Sequence, residues 1–496
     1  MTTARAESSK AAINGQNSGL VGNFIATAIA RILDIAGNLA VILIITRYLS
    51  LEDYGRYGFI VSFVTTAVTV TYFGLEIVSI REMACDREAA PLALGNALTI
   101  RWGLSGAVFI FILASIPFLH LTPEGSLAVF IVAVTRILIA SSMMYQAVFK
   151  AFERMEYDAY ITIFFQAINL IFIAFACYLN LGFLFIFYSQ ALASVLRFIA
   201  VFIVVRRVFI KPVFHFDKVK LGVFFKYTYV MGLIALSMAC CNNMEIFFLK
   251  YLADNEEISL FYAPYSILSA AQFIPTVMIT SFFPVMSRMI KGSQEEKEKL
   301  IFLFSKICKL LAMGGLLGGV VCFSFSNQII DIIFGAKYDA AGGVFSIVSL
   351  NIFFTFLVPL FSLLMAAANK EIIVFFCSLV TIALKVPFDL WLIPAYGNLG
   401  AGIAYAAGSA FYFFLILYFA FSHVFTFAFF SMLAKSLVSA LSLAAGFFLF
   451  KGMNIPLSVI AGIVFCTITL FLSGAIDKED IDIFKKIVLK KGERLG

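Results

Sequence analysis

Residues Arg31–Ala84 read RILDIAGNLAVILIITRYLSLEDYGRYGFIVSFVTTAVTVTYFGLEIVSIREMA. Two apolar runs flank a short polar hairpin, LSLEDYGRYG at 49–58. Each run is long enough to cross a bilayer, whose hydrocarbon core of about 30 Å takes about 20 helical residues. Arg31, Asp34 and Glu76 sit inside these runs. A charge at membrane depth costs several kcal/mol unless it faces protein or water, so each of the three is a candidate functional residue.

The rest of the chain repeats the theme of apolar helix, short loop, apolar helix. Of its 496 residues 62% are hydrophobic and 13% charged, with a mean hydropathy of +1.00. Soluble domains carry about 25% charge, so a soluble globular class is excluded. With 58 Phe and two Trp, lipid contact falls to Phe, Leu and Ile. Most of the eight cysteines (Cys177, Cys240, Cys241, Cys308, Cys322, Cys377 and Cys466 among them) lie in apolar runs. Their spacing makes neither a metal site nor a disulfide framework. The first 19 residues are polar and lack the apolar core of a cleavable signal, so the first apolar segment is expected to act as the targeting element.

Fourteen apolar segments are expected, centred near residues 34, 68, 107, 135, 168, 194, 235, 270, 311, 354, 382, 410, 441 and 463. Charge asymmetry tests this count, because cytoplasmic loops of membrane proteins are enriched in Lys and Arg. With both termini cytoplasmic, 23 of the 36 basic residues fall inside and five outside (Arg47, Arg56, Lys250, Lys337, Lys451). The other eight lie within segments. A missed or invented helix in mid-chain would scramble that split. The predicted class is therefore an all-α integral membrane protein of about fourteen transmembrane helices.

The longest polar connection is RRVFIKPVFHFDKVK, residues 206–220, whose basic and aromatic mixture suits an anionic leaflet surface. It divides the chain into halves. Tyr48 to Tyr57 in the first resembles Tyr251 to Tyr262 in the second, at an offset of 203 residues. Transporters are often built from such repeats. The expected organisation is a cytoplasmic tail at 1–19, six helices over 20–205, the linker at 206–220 and six helices over 221–424. Two extra helices over 425–475 and a basic cytoplasmic tail at 476–496 complete it. That tail alternates apolar and charged residues as an interfacial helix does.

The stretch RYLSLEDYGRYGF resembles the first-helix exit of the oligosaccharide and polysaccharide flippases. Asn243 to Leu249 with Phe261-Tyr262-Ala263, Ile333 to Tyr338, and Leu392-Ile393-Pro394 with Tyr396 to Ala401 are similar to the same family. One departure stands out: where the family often carries Arg-x-Asp, this chain has Asn243 and Glu245. The resemblance implies a member of the multidrug/oligosaccharidyl-lipid/polysaccharide exporter group, with two pseudo-symmetric six-helix lobes around a central cavity. It implies an undecaprenyl-pyrophosphate-linked oligosaccharide as cargo, moved from the inner to the outer leaflet of a bacterial cytoplasmic membrane for surface polysaccharide assembly of the O-antigen kind. No cofactor, metal or nucleic acid is expected. Membrane lipids and glycan polymerase or assembly proteins are the expected partners.

The buried polar residues were weighed against that cargo. Arg31, Arg101, Arg136 and Arg197 could hold a pyrophosphate, because a guanidinium offers five donors in a fixed fork. Gln146 and Asn242 join them as candidate cargo contacts. The alternatives are pairing of Arg31 with Asp34 and snorkelling of Arg101 to the surface. Asp34, Glu76, Glu245 and Asp389 are candidates for ion coupling, since a carboxylate in a membrane cavity can change charge with the open side. Lys385 and Asp389 flank Pro387 at i, i+4 spacing, which also suits a local ion pair. Asn38, Tyr145, Gln166, Asn169, Gln190 and Asn351 could contact sugars or bond helix to helix.

Three other functions remain open at this stage: a small-metabolite or multidrug exporter, a peptidoglycan-precursor flippase, and a membrane glycan polymerase or ligase. The last needs an acidic or histidine constellation on a sizeable outer loop, whereas the outer loops are short and His120, His215 and His423 are scattered.

Overall fold

The computed structural model describes residues 33–72, 74–214 and 218–449, together with residue 465. The described chain is helical without strands, and seven of its helices are long and apolar enough to cross a membrane. A bent pair raises that number to eight. Every expected centre from 34 to 441 falls in a helix, and the one near 463 lies outside the described residues, as do Arg31 and both chain ends. The chain forms two compact units, residues 1–250 with 254–259, and 251–253 with 260–496.

In the first unit, α1 (33–48) is followed almost at once by α2 (Leu51–Thr69). The polar stretch 49–58 is therefore mostly the opening of α2 rather than a loop. Ser50 caps the helix by accepting from the Asp53 amide at 3.1 Å. Glu52 and Asp53 stand in the first turn, where carboxylates suit the positive end of the helix, and Glu52 pairs with Arg56.

The second apolar segment is broken. Residues Val70–Gly74 separate α2 from α3 (Leu75–Cys85), with Gly74 in the left-handed region at φ 64°. Then come α4 (Ala90–Ser115), α5 (Pro123–Ala151), α6 (Met155–Tyr178), α7 (Phe183–Val204) and α8 (Lys218–Leu252). Pro123 starts α5 behind its cap Thr122, using a helix position whose missing N–H costs nothing. The α6–α7 connection is the tight turn expected at Asn180–Gly182, where Asn180 and Gly182 both take positive φ.

Helix α5 is the axis of this unit, packed against α2, α3, α4 and α7. Its Met144, Tyr145, Val148 and Phe149 are buried among Leu94 and Leu98 of α4, Val201 of α7, and Leu75 and Met83 of α3. Phe111, Phe164 and Phe175 are exposed, as lipid-facing side chains of a membrane protein are.

The second unit contains most of α9 (Asn255–Ala271), then α10 (Phe273–Met289), α11 (Gln294–Ser324), the short α12 (Ser326–Phe334), α13 (Ala341–Ser349), α14 (Asn351–Ala367), α15 (Glu371–His423) and α16 (Phe429–Leu449). The expected segments near 270 and 354 are again each made of two helices, the latter pair bent by 40°. Helix α11 begins with a capping box between Ser293 and Glu296. The paired glycines on α11 serve close packing. A Cβ on Gly315 would stand 2.9 Å from the Cα of Phe353 on α14, and one on Gly319 would stand 3.2 Å from the carbonyl of Ser349.

The two segments expected near 382 and 410 form one continuous run in α15, interrupted at Gly397. Its φ of 55° with ψ of −130° lies where only glycine rests without strain. Gly397→Ala is expected to cost about 1–3 kcal/mol and to lower the thermal unfolding midpoint in detergent. An unchanged midpoint would show that the break does not depend on this glycine.

Candidate functional site

Polar side chains in the first unit gather along α5 because that helix is surrounded on several sides by other helices and carries hydrophilic groups at Arg136, Tyr145, Gln146 and Lys150. A rise of 1.5 Å per residue spreads Arg136 to Lys150 over about 21 Å, a large part of a bilayer core.

At the first level, Tyr57 of α2 accepts a hydrogen bond from Gln190 Nε2 of α7 at 3.1 Å, and the Arg136 charge acts on that hydroxyl. At the second level, Arg197 Nη2 of α7 donates to Gln146 Oε1 at 3.3 Å. Tyr145 packs edge-on against Phe198 and Phe202 of the same helix. Arg101 of α4 reaches this level, with Nη2 3.7 Å from the Met144 sulfur and its guanidinium 5.3 Å from the centre of the Tyr72 ring. At the third level, Lys150 Nζ donates to Glu76 Oε1 at 2.5 Å.

The break at Val70–Gly74 explains how α2 and α3 contribute. It places Tyr72 outside any helix, against Arg101, and starts a new helix that carries Glu76 in its first turn. Glu76 has no basic residue within a turn in sequence, and its partner comes from a point 74 residues away.

The second level is rich in unmatched donors. Arg101 is 1% exposed, yet its Nε and Nη1 have no hydrogen-bond partner among the described residues. The same holds for the Tyr145 hydroxyl and Gln146 Nε2. Buried polar groups in folded proteins are nearly always satisfied, so these four orphaned donors stand out as groups open to acceptor oxygens. Burial of Arg101 also sets aside the snorkelling alternative for this residue.

The remaining candidates lie elsewhere. Asp34 is half-buried on α1. On α8, Asn242 is half-buried and Glu245 fully buried. Neighbouring Asn243 donates to Thr66 Oγ1 of α2 at 3.1 Å and to the Ala239 carbonyl at 3.0 Å, so this amide bonds helix to helix. Asp389 is buried in the second unit on α15, one turn after the equally buried Lys385. The Lys385 ammonium lies 5.3 Å from the centre of the Tyr405 ring, and its stem fills the space left open by Gly408. Among the described residues no three of His, Cys, Asp and Glu gather as a metal site would.

Sequence reasoning missed Tyr72, Met144 and the third-level role of Lys150. Charge inventory flags Lys150 and nothing flags the other two, since their partners are chosen by packing. The Glu76–Lys150 pair is partly exposed, at 23% and 36% of the two side chains. A double-mutant cycle of Glu76→Gln and Lys150→Met is expected to give a coupling of about 1–2 kcal/mol, between the ranges of surface and buried pairs. Additive losses in thermal stability would show that the contact contributes nothing.

Solved structures share this fold. The lipid II flippase MurJ in an inward closed conformation aligns with a TM-score of 0.70 at 14% identity, covering 95% of this chain and 100% of that one. An inward-facing MATE family multidrug resistance transporter of the MOP superfamily gives 0.64 at 16%, covering 82% and 99%. A MOP superfamily transporter from Pyrococcus furiosus gives 0.61 at 14%, covering 82% and 95%. The chain belongs to the polysaccharide biosynthesis protein family, whose sequence profile matches residues 20–290. No curated protein matches it in sequence.

Proposed function

We propose that this transporter flips an undecaprenyl-pyrophosphate-linked oligosaccharide from the inner to the outer leaflet of the cytoplasmic membrane by alternating access, with both of its termini cytoplasmic. The observation that carries the reading is the set of buried donors without partners on Arg101, Tyr145 and Gln146, with Gln146 also held by Arg197. Guanidinium, phenol and amide N–H or O–H groups all donate, and the atoms they would meet on such a cargo are pyrophosphate and sugar oxygens. The levels along α5 hold Arg136, Arg101, Arg197 and Lys150 against the single carboxylate Glu76, which favours an anionic load over a cationic drug. Arg136 above and Lys150 below would give the anion successive partners along the helix. Asp34, Glu245 and Asp389 remain the candidates for coupling to an ion gradient, and Glu76 serves there only if its pair with Lys150 opens. Glycan polymerase and assembly proteins are the natural recipients of the cargo.

A second reading, a flippase for a peptidoglycan precursor such as lipid II, draws support from the extent of the MurJ likeness, which covers more of this chain than either of the other two structures described. One experiment separates them. Cells lacking the protein are extracted, their lipids weighed by mass spectrometry, and sugar accessibility to a lectin compared in intact and inverted vesicles. A complete lipid-linked oligosaccharide trapped on the cytoplasmic leaflet is the expected result. Lipid II in its place would transfer the proposal to the second reading. Accumulation on the outer leaflet would overturn both, by assigning the protein to a later step.

A further inference from the structure

The second unit contains a cavity that the cargo reading does not use. It has a volume of about 420 Å³ and lies where three connections meet: α10 to α11, α14 to α15, and α15 to α16. Its polar wall includes Lys291, Lys297, Lys370 and His423, while Leu300 and Phe425 belong to its apolar part. Among the described residues no Asp or Glu lines it.

Of the carboxylates near by in sequence, Glu371 follows Lys370 but is not among the lining residues, and Glu295 and Glu296 are engaged elsewhere. Glu296 folds back to accept from the Ser293 amide at 3.0 Å, and Glu295 pairs with Lys299 at 2.6 Å. Gln294 and Lys297 stand one turn apart on α11 and both line the pocket, whereas Glu295, Glu296 and Glu298 do not. At the rim, Gln294 Nε2 approaches Glu298 Oε1 at 3.5 Å. Lys370 donates to the His423 carbonyl at 3.0 Å, which ties two of the three connections together and fixes one ammonium in the wall. Lys291 and Lys297 form no ion pair with any described residue. Three ammonium groups thus share one concave site, with no carboxylate among the described residues of its wall and Glu298 at its rim. Such an arrangement is unfavourable by mutual repulsion unless an anion enters.

We propose that this pocket binds a phosphate group. Lysine serves as a mobile point charge for phosphate, and three of them on separate connections can surround one from several sides. Under the expected orientation all three connections face the cytoplasm, so the phosphate belongs either to an inner-leaflet phospholipid or to a soluble phosphate ester. Binding would hold the ends of α11, α14 and α15 together and stabilise the second unit. This site acts independently of the cargo, and its test does not involve transport.

The experiment titrates the full-length protein in detergent micelles with two probes, dioctanoyl phosphatidylglycerol and sn-glycerol 3-phosphate, and follows the thermal unfolding midpoint. At least one probe is expected to raise the midpoint of the unaltered protein. A response to the lipid alone identifies a headgroup site, and a response to the soluble ester identifies a site for a free phosphate compound. In Lys291→Ala/Lys297→Ala the concentration needed for the same shift should rise at least about tenfold, given what a charge-assisted hydrogen bond contributes. Both lysines are exposed, so the double variant should keep the starting midpoint without ligand. Lys299→Ala, outside the wall, should respond as the unaltered protein does. No response to either probe, or an undiminished response in the double variant, would overturn the proposal.

Discussion

Arg101→Met is expected to leave the protein as stable as before or more stable, while reducing transport at least about a hundredfold. The two halves of this result come from one fact. Arg101 is a fully buried guanidinium whose Nε and Nη1 meet no acceptor among the described residues, so its desolvation is offset there by no hydrogen bond to oxygen, and the Tyr72 ring and the Met144 sulfur lie against it. Replacing buried charge by an apolar side chain of similar volume is often neutral or stabilising by about 1–4 kcal/mol. Two charge-assisted hydrogen bonds to a pyrophosphate contribute about 3–6 kcal/mol, which sets the size of the functional loss. Arg101→Lys should recover only a small part, because an ammonium cannot reproduce the bidentate fork. The measurements are the thermal midpoint of purified protein and complementation of a deletion strain at matched protein levels. A large drop in stability with Arg101→Met would mean that the guanidinium is a structural group, and the buried-donor reading would fail.

Gly55→Ala is expected to prevent accumulation of folded protein or to destabilise it by about 3 kcal/mol or more. A Cβ at this position would stand 1.7 Å from the carbonyl oxygen of Asn255 and 2.7 Å from its carbonyl carbon. Those atoms are backbone, at the start of α9, and cannot turn aside as a side chain could. Overpacking a well-fitted contact costs about 1–3 kcal/mol, and an overlap this deep forces the backbones apart. Gly103→Ala and Gly106→Ala on α4 are the controls, since a Cβ at either meets nothing within 4 Å. Both should be neutral or slightly stabilising. Equal behaviour of Gly55→Ala and the two controls in fluorescence-detected size exclusion would show that α2 and α9 do not approach so closely.

The glycine contact also shows where sequence reading stops. The resemblance between Tyr48–Tyr57 and Tyr251–Tyr262 was legible as similar letters in the same order, starting 203 residues apart. That Gly55 of the first stretch fits against Asn255 of the second depends on a distance between residues 200 positions apart. In the same way, 49–58 looked like a polar loop because it is rich in charge and glycine. The charges proved to be helix-opening ones, with Ser50 capping and Glu52 and Asp53 at the positive end.

Apolar length was enough to place the segments centred from 34 to 441 in helices and to give an all-helical class, because a bilayer imposes that length on any chain that crosses it. Composition also exposed the costly charges, since a buried arginine is rare enough to be noticed. Neither rule reaches the interruptions at Val70–Gly74, Gln272 and Leu350, which keep the apolar character of their segments while changing the direction of the chain. Nor could they pair Glu76 with Lys150, stack Arg101 on Tyr72 or leave Tyr145 and Gln146 with unused donors. Those relations join different helices, and helix-to-helix contact is set by which side chains interlock rather than by the order in which they are read.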